Sequence, residues 1–157
     1  MKKILSLSVA LLFTLCSFAQ TKIQSPDEFL GYELGDRFTR HHRVVEYFKY
    51  VDELSPTVKV TQYGETNEHR PLIYAIIASP ENFANLEQIR QDNLKRAGAL
   101  EGTPSSNKVA LVWLSYNVHG NEASSIEASM KTLYELVNPA NAKTKEWLKN
   151  TVIIMDP

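Results

Sequence analysis

Apolar residues along this chain recur in two rhythms, unbroken or alternating runs and stripes of period three to four, and the switches between them predict its elements. Val58, Val60 and Gln62 fall on one face of a half-buried strand, and Leu72 to Ala78 is a nearly unbroken apolar strand. The polar stretch from Gly64 to Pro71 is short enough to join the two as an antiparallel hairpin. Val109 to Leu114 is apolar on both faces, which predicts a strand in the middle of a sheet with no wet side. Thr151 to Met155 predicts another buried strand, entering a turn at Asp156-Pro157.

Between these runs the period lengthens. Val44, Tyr47, Phe48, Val51 and Leu54 share one face of a helix that Thr39 would cap and Ser55-Pro56 would end. Ser79 followed by Pro80 predicts a second helix start, with Leu86, Ile89, Asn93, Leu94 and Ala97 carrying one helix to a stop at Gly98. Ile126, Met130, Leu133 and Val137 form the stripe of a third, opened by a Ser124/Glu127 capping box and closed by Asn138-Pro139. Asn141 caps a short fourth helix anchored by Trp147 and Leu148, with Lys143, Lys145 and Lys149 on its solvated face. An opening hairpin followed by strand-helix-strand connections predicts an α/β fold, a mixed β-sheet flanked by helices. Residues 20–36 form a polar N-terminal lead-in, with turn signals at Pro26, Gly31 and Gly35, draped over the domain of residues 37–157.

Composition changes the picture at the ends. Residues 1–19 have the form of a signal peptide: Lys2-Lys3, an apolar core from Ile4 to Phe13, and a small-x-small cleavage site at Ser17-Phe18-Ala19. That core is too short to span a bilayer. Export to the periplasm or the extracellular space is therefore expected. Cleavage would remove Cys16, the one cysteine, so the mature chain would use no disulfides. It would also remove two lysines and move the formal charge from −1 to −3, leaving no basic stripe to suit nucleic acid. A buried strand that meets the end of the sequence suggests a fragment truncated at its C-terminus.

The candidate chemistry lies between the third strand and the third helix, at His119-Gly120-Asn121-Glu122. A strand-loop-helix order puts this elbow at the carboxyl end of a strand, where open α/β sheets generally bind ligands. An imidazole and a carboxylate three residues apart can reach one Zn²⁺ ion, and Gly120 would let the backbone turn tightly between them. His41, His42 and His69 have no such partner three residues on, and the His41-His42-Arg43 cluster suits a solvated helix face. From the residues alone, His119 and Glu122 equally suit the satisfaction of backbone groups at the helix start.

A wider pattern bears on that choice. Gly64, Thr66, Arg70, Pro71 and Leu72 in the hairpin, then His119 and Glu122, then a strand ending at Asp156-Pro157, resemble in order and spacing the secreted zinc carboxypeptidases of the carboxypeptidase A-like family. One departure is His69, where that family usually has glycine. The resemblance implies a zinc-carboxypeptidase-like fold seen in its first half, and hydrolysis of C-terminal peptide bonds in peptide or protein substrates. It also implies that His119 and Glu122 are two of three Zn²⁺ ligands and that Arg70 lines the substrate groove. The third ligand, the general base and the arginine that clamps the substrate carboxylate lie further along in that family. No catalytic residue is then expected in this fragment, which alone would be inactive and bind zinc poorly. Two rivals remain: an aspartoacylase-like zinc amidase, which shares the fold and the His-Gly-Asn-Glu wording but not the export signal, and a secreted, non-catalytic peptide- or glycan-binding domain.

Overall fold

The strand β4 (Thr151–Asp156) is the spine of a four-stranded sheet ordered β1-β2-β4-β3 in a computed structural model that describes residues 22–157. The expected signal peptide lies outside the described residues. β1 (Val58–Glu65) and β2 (Pro71–Ile77) pair antiparallel, Val58 opposite Ile77, with a bulge between Gln62 and Gly64. β4 pairs antiparallel with β2 and parallel with β3 (Ala110–Ser115), so the sheet is mixed, as the hydrophobic rhythm predicts. The hairpin closes through Thr66, whose backbone N–H donates to the Arg70 carbonyl at 2.9 Å. His69 takes a left-handed φ of 58° there, the conformation that glycine adopts more cheaply.

Six helices accompany the strands among the described residues, where four were expected: α1 (Pro26–Leu30), α2 (His41–Leu54), α3 (Pro80–Ala84), α4 (Leu86–Arg96), α5 (Ala123–Val137) and α6 (Ala142–Lys149). α2 and α5 pack on one sheet face, where Tyr47, Phe48, Val51, Met130 and Leu133 bury against Ile73, Ala75, Ile77 and Met155. On the other face Ile89 of α4 joins Ala78, Val109 and Val152 in a smaller core.

Several expectations change. The lead-in is not merely draped: Ser25 and Glu28 form a capping box, Pro26 opens α1, and Gly31 ends it at φ 77°. Phe29 then sets its ring 5.1 Å from both Tyr47 and Tyr50. A five-residue helix is too short to show a period. The helix expected from Pro80 to Ala97 breaks at Asn85, whose side-chain amide donates to the Glu81 carbonyl at 2.8 Å; the Ser79 cap holds, accepting from Asn82 N–H at 3.2 Å. Asn141 caps α6 as expected, and Leu148 anchors it, but Trp147 is 58 % exposed.

The largest correction concerns β3. Among the described residues it is an edge strand, paired only with β4, and Leu111, Val112 and Trp113 are exposed, Trp113 by 69 %. An apolar run reports that both faces suit burial and says nothing of which element covers them. The middle position belongs to β4, whose Val152 and Met155 are buried.

Candidate functional site

Parallel pairing brings the carboxyl ends of β3 and β4 to one end of the sheet, and the Tyr116 N–H extends the ladder to the Asp156 carbonyl at 2.8 Å. Because β2 runs antiparallel to β4, the hairpin tip that carries Arg70 lies at the same end of the sheet, two strands and about 10 Å from β3 at the ordinary strand spacing. The sequence landmarks therefore meet at one end of the molecule.

The elbow leaves β3 through Asn117, which takes a left-handed φ of 51°. Its N–H donates to Ser125 Oγ at 2.7 Å, and Tyr116 Oη donates to Thr132 Oγ1 at 2.9 Å, so two bonds staple the end of β3 to α5. The Glu122 N–H then closes a turn onto the His119 carbonyl at 3.0 Å. Gly120 is not needed for this turn, since its φ is not positive and a Cβ there would meet open space. Asn117 supplies the left-handed step instead.

The turn brings His119 Nδ1 within 3.2 Å of Glu122 Oε1, with both side chains exposed. The two groups are within hydrogen-bond distance of each other, close enough that one zinc ion could take both as ligands. A neutral imidazole nitrogen beside a carboxylate oxygen is also a donor set that zinc accepts. Among the described residues no group of three His, Cys, Asp or Glu side chains is placed to hold a metal. Glu122 stands at the N-cap of α5 without capping it, and Ser124 makes no cap bond either, so the expected capping box does not form.

The glutamate of that expected box has another partner. Glu127 is buried and accepts from Thr39 Oγ1 at 2.6 Å and from the Gly35 N–H at 2.7 Å. Thr39 is thereby drawn off its expected cap position, which falls to Arg40 with no side-chain bond. A glutamate next to Ile126 on the buried stripe was the available signal.

Arg70 pairs with Glu68 at 2.5 Å and is exposed. His41, at the start of α2, is half-buried rather than fully solvated, and its pKa is lowered by burial first and by the nearby Arg70 cation second. On the sheet face away from α2 and α5, Tyr63, Tyr74, Trp113, Ile154 and Asp156 line an open groove of about 480 Å³. Burial pushes the Asp156 carboxyl up, partly offset by the Tyr63 hydroxyl, which donates to it at 3.4 Å.

The family model for zinc carboxypeptidase matches residues 44–157. This chain belongs to the zinc carboxypeptidase family. Among solved structures it resembles carboxypeptidase A from Helicoverpa armigera, with 18 % identity, 99 % of this chain and 31 % of that one covered, and a TM-score of 0.54. It also resembles a metallo-carboxypeptidase from Burkholderia cenocepacia, with 14 % identity, 74 % and 25 % covered, and a TM-score of 0.51. No curated protein matches. At these identities the likeness is one of fold, and the zinc carboxypeptidase chain spans about a quarter to a third of the length of these structures.

Proposed function

We propose that this chain supplies two zinc ligands, His119 and Glu122, to a metallocarboxypeptidase that removes residues from the C-termini of peptides or proteins. The observation that carries the proposal is the 3.2 Å approach of His119 Nδ1 to Glu122 Oε1 on the loop that follows β3, within a zinc carboxypeptidase domain. Zinc at such a site supplies Lewis-acid activation of a peptide carbonyl and of water. His119 would supply a ring nitrogen to that ion and Glu122 a carboxylate oxygen, which would offset part of its charge. Arg70, at the same end of the sheet, offers a cation to peptide carbonyls or carboxylates once it leaves Glu68. Catalytic zinc takes three protein ligands; the family resemblance on which the proposal draws puts the third, with the general base and the carboxylate clamp, further along the family's chains than the stretch matched here. Export of the protein, through the signal peptide at residues 1–19, completes the proposal, and no helix among the described residues is long and apolar enough to cross a membrane.

The test is zinc content. Replacing His119 or Glu122 by Ala in the full-length protein should abolish stoichiometric zinc and the release of C-terminal residues together. Tight zinc in both variants would refute the assignment.

A further inference from the structure

We propose that Glu127 is a positioning residue for the His119-Glu122 pair, acting through the start of α5. Glu122 stands at the N-cap of α5 but makes no side-chain bond to the helix, so its place is set by the backbone of the first turn. Asn121 to Ser124 are exposed, and the first buried anchors of α5 are Ile126 and Glu127. Ile126 packs without direction, as apolar contacts do. Glu127 makes two short directional bonds, to Thr39 Oγ1 at 2.6 Å and to the Gly35 N–H at 2.7 Å, which fix both the depth and the rotation of the helix start.

These bonds tie α5 to a segment that is itself held. Tyr32 Oη and Thr39 Oγ1 are 2.9 Å apart, Arg37 stacks 4.5 Å over the Tyr32 ring, and the Leu34 N–H donates to Asp27 of α1 at 2.7 Å. On its other side α5 is stapled to the end of β3 through Ser125 and Thr132. The loop carrying His119 is thus suspended between β3 and a helix whose first turn has one carboxylate as its directional tie on the other flank. Removing that carboxylate frees the α5 start to turn or fray, which moves Glu122 against His119.

The zinc arm of the test rests on the ligand assignment above; a second arm does not. In the full-length protein, Glu127→Ala and Thr39→Val should each weaken zinc binding about tenfold, the loss seen when groups that orient ligands are removed, as read by competition with a chromogenic chelator. Glu127→Gln should stay within about twofold, because the Thr39 hydroxyl can reverse and accept from the new amide while the remaining oxygen keeps the Gly35 N–H. In metal-free protein, amide exchange over residues 119–125 should rise severalfold in Glu127→Ala and Thr39→Val. Thr39→Val leaves α5 itself unaltered, so it serves where Glu127→Ala fails to fold. Unchanged exchange in that segment, with or without a fall in melting temperature, would overturn the proposal. So would unchanged zinc affinity in variants of a protein whose zinc is lost on replacing His119.

Discussion

Leu133→Ala separates holding the fold from placing the ligands. Leu133 is fully buried in the layer where α5 packs against α2 and the sheet, among Phe48, Met130 and Met155. The substitution deletes three carbons, worth about 0.8 kcal/mol each in lost transfer free energy, or roughly 2.4 kcal/mol. Its neighbours belong to a helix, a helix and a sheet that cannot all close in, so a cavity persists. A residual void of about 50 Å³ adds on the order of 1.2 kcal/mol at 24 cal/mol per Å³. The expected loss is about 3.5 kcal/mol, within the range found for such changes in other cores. Urea unfolding followed by far-UV circular dichroism would show it as a midpoint lowered by about 2 M at a slope near 1.7 kcal/mol/M, with the slope unchanged. Leu133 is eleven residues from Glu122 along the helix, so the zinc affinity of the folded fraction should not change. A loss below about 1 kcal/mol would mean that α5 is not packed as described; a fall in zinc affinity to match Glu127→Ala would mean that any loosening of α5 disturbs the site.

Two further outcomes follow from the same geometry. Asn141→Ala removes the oxygen that accepts the Thr144 N–H at 3.3 Å and should cost about 1 kcal/mol in unfolding, with α6 fraying at its start in hydrogen exchange; no loss would show that the cap is idle. Asp156 has its carboxyl raised by burial, so the folded state binds this proton more tightly than the unfolded chain does. The group therefore favours folding below the ordinary carboxylate value and withdraws that support as pH rises through the raised folded value. Asp156→Asn should gain stability relative to the parent as pH rises across that window, and a difference that does not vary with pH would contradict the burial.

Much of the fold is legible in the chain because it depends on neighbours a few residues apart. The β1-β2 hairpin, the stripe of Ile126, Met130 and Leu133, and the caps at Ser79 and Asn141 all follow from local period and local hydrogen bonding. The elbow is local in outline: a strand, then His119 and Glu122, then a helix puts both side chains on one turn, while the bonds of Glu127 to Thr39 and Gly35 that hold the start of that helix are not local. Where two local rules competed, a side-chain bond decided in one case and packing in the other. Asn85 spends its amide on Glu81 and breaks a helix that its neighbours favour, and Leu148 rather than Trp147 takes the buried side of α6.

Partnership over distance is not in the pattern. Thr39 and Glu127 each read as local helix caps, yet they bond to one another across 88 residues, because a hydroxyl and a carboxylate brought together in a buried layer gain more there than at a solvated helix end. Likewise the apolar runs of β3 and β4 are alike in composition, and only pairing made β4 the spine and β3 the edge. The sequence by itself determined the four strands, the long helices and where the His119-Glu122 turn falls, though not the short helix Pro26–Leu30 or the break at Asn85, since backbone torsion and side-chain period act over a single turn. Tertiary structure alone decided which faces are covered and which donor each buried acceptor takes, since burial and hydrogen bonding are settled by groups that only the folded chain brings within about 3 Å.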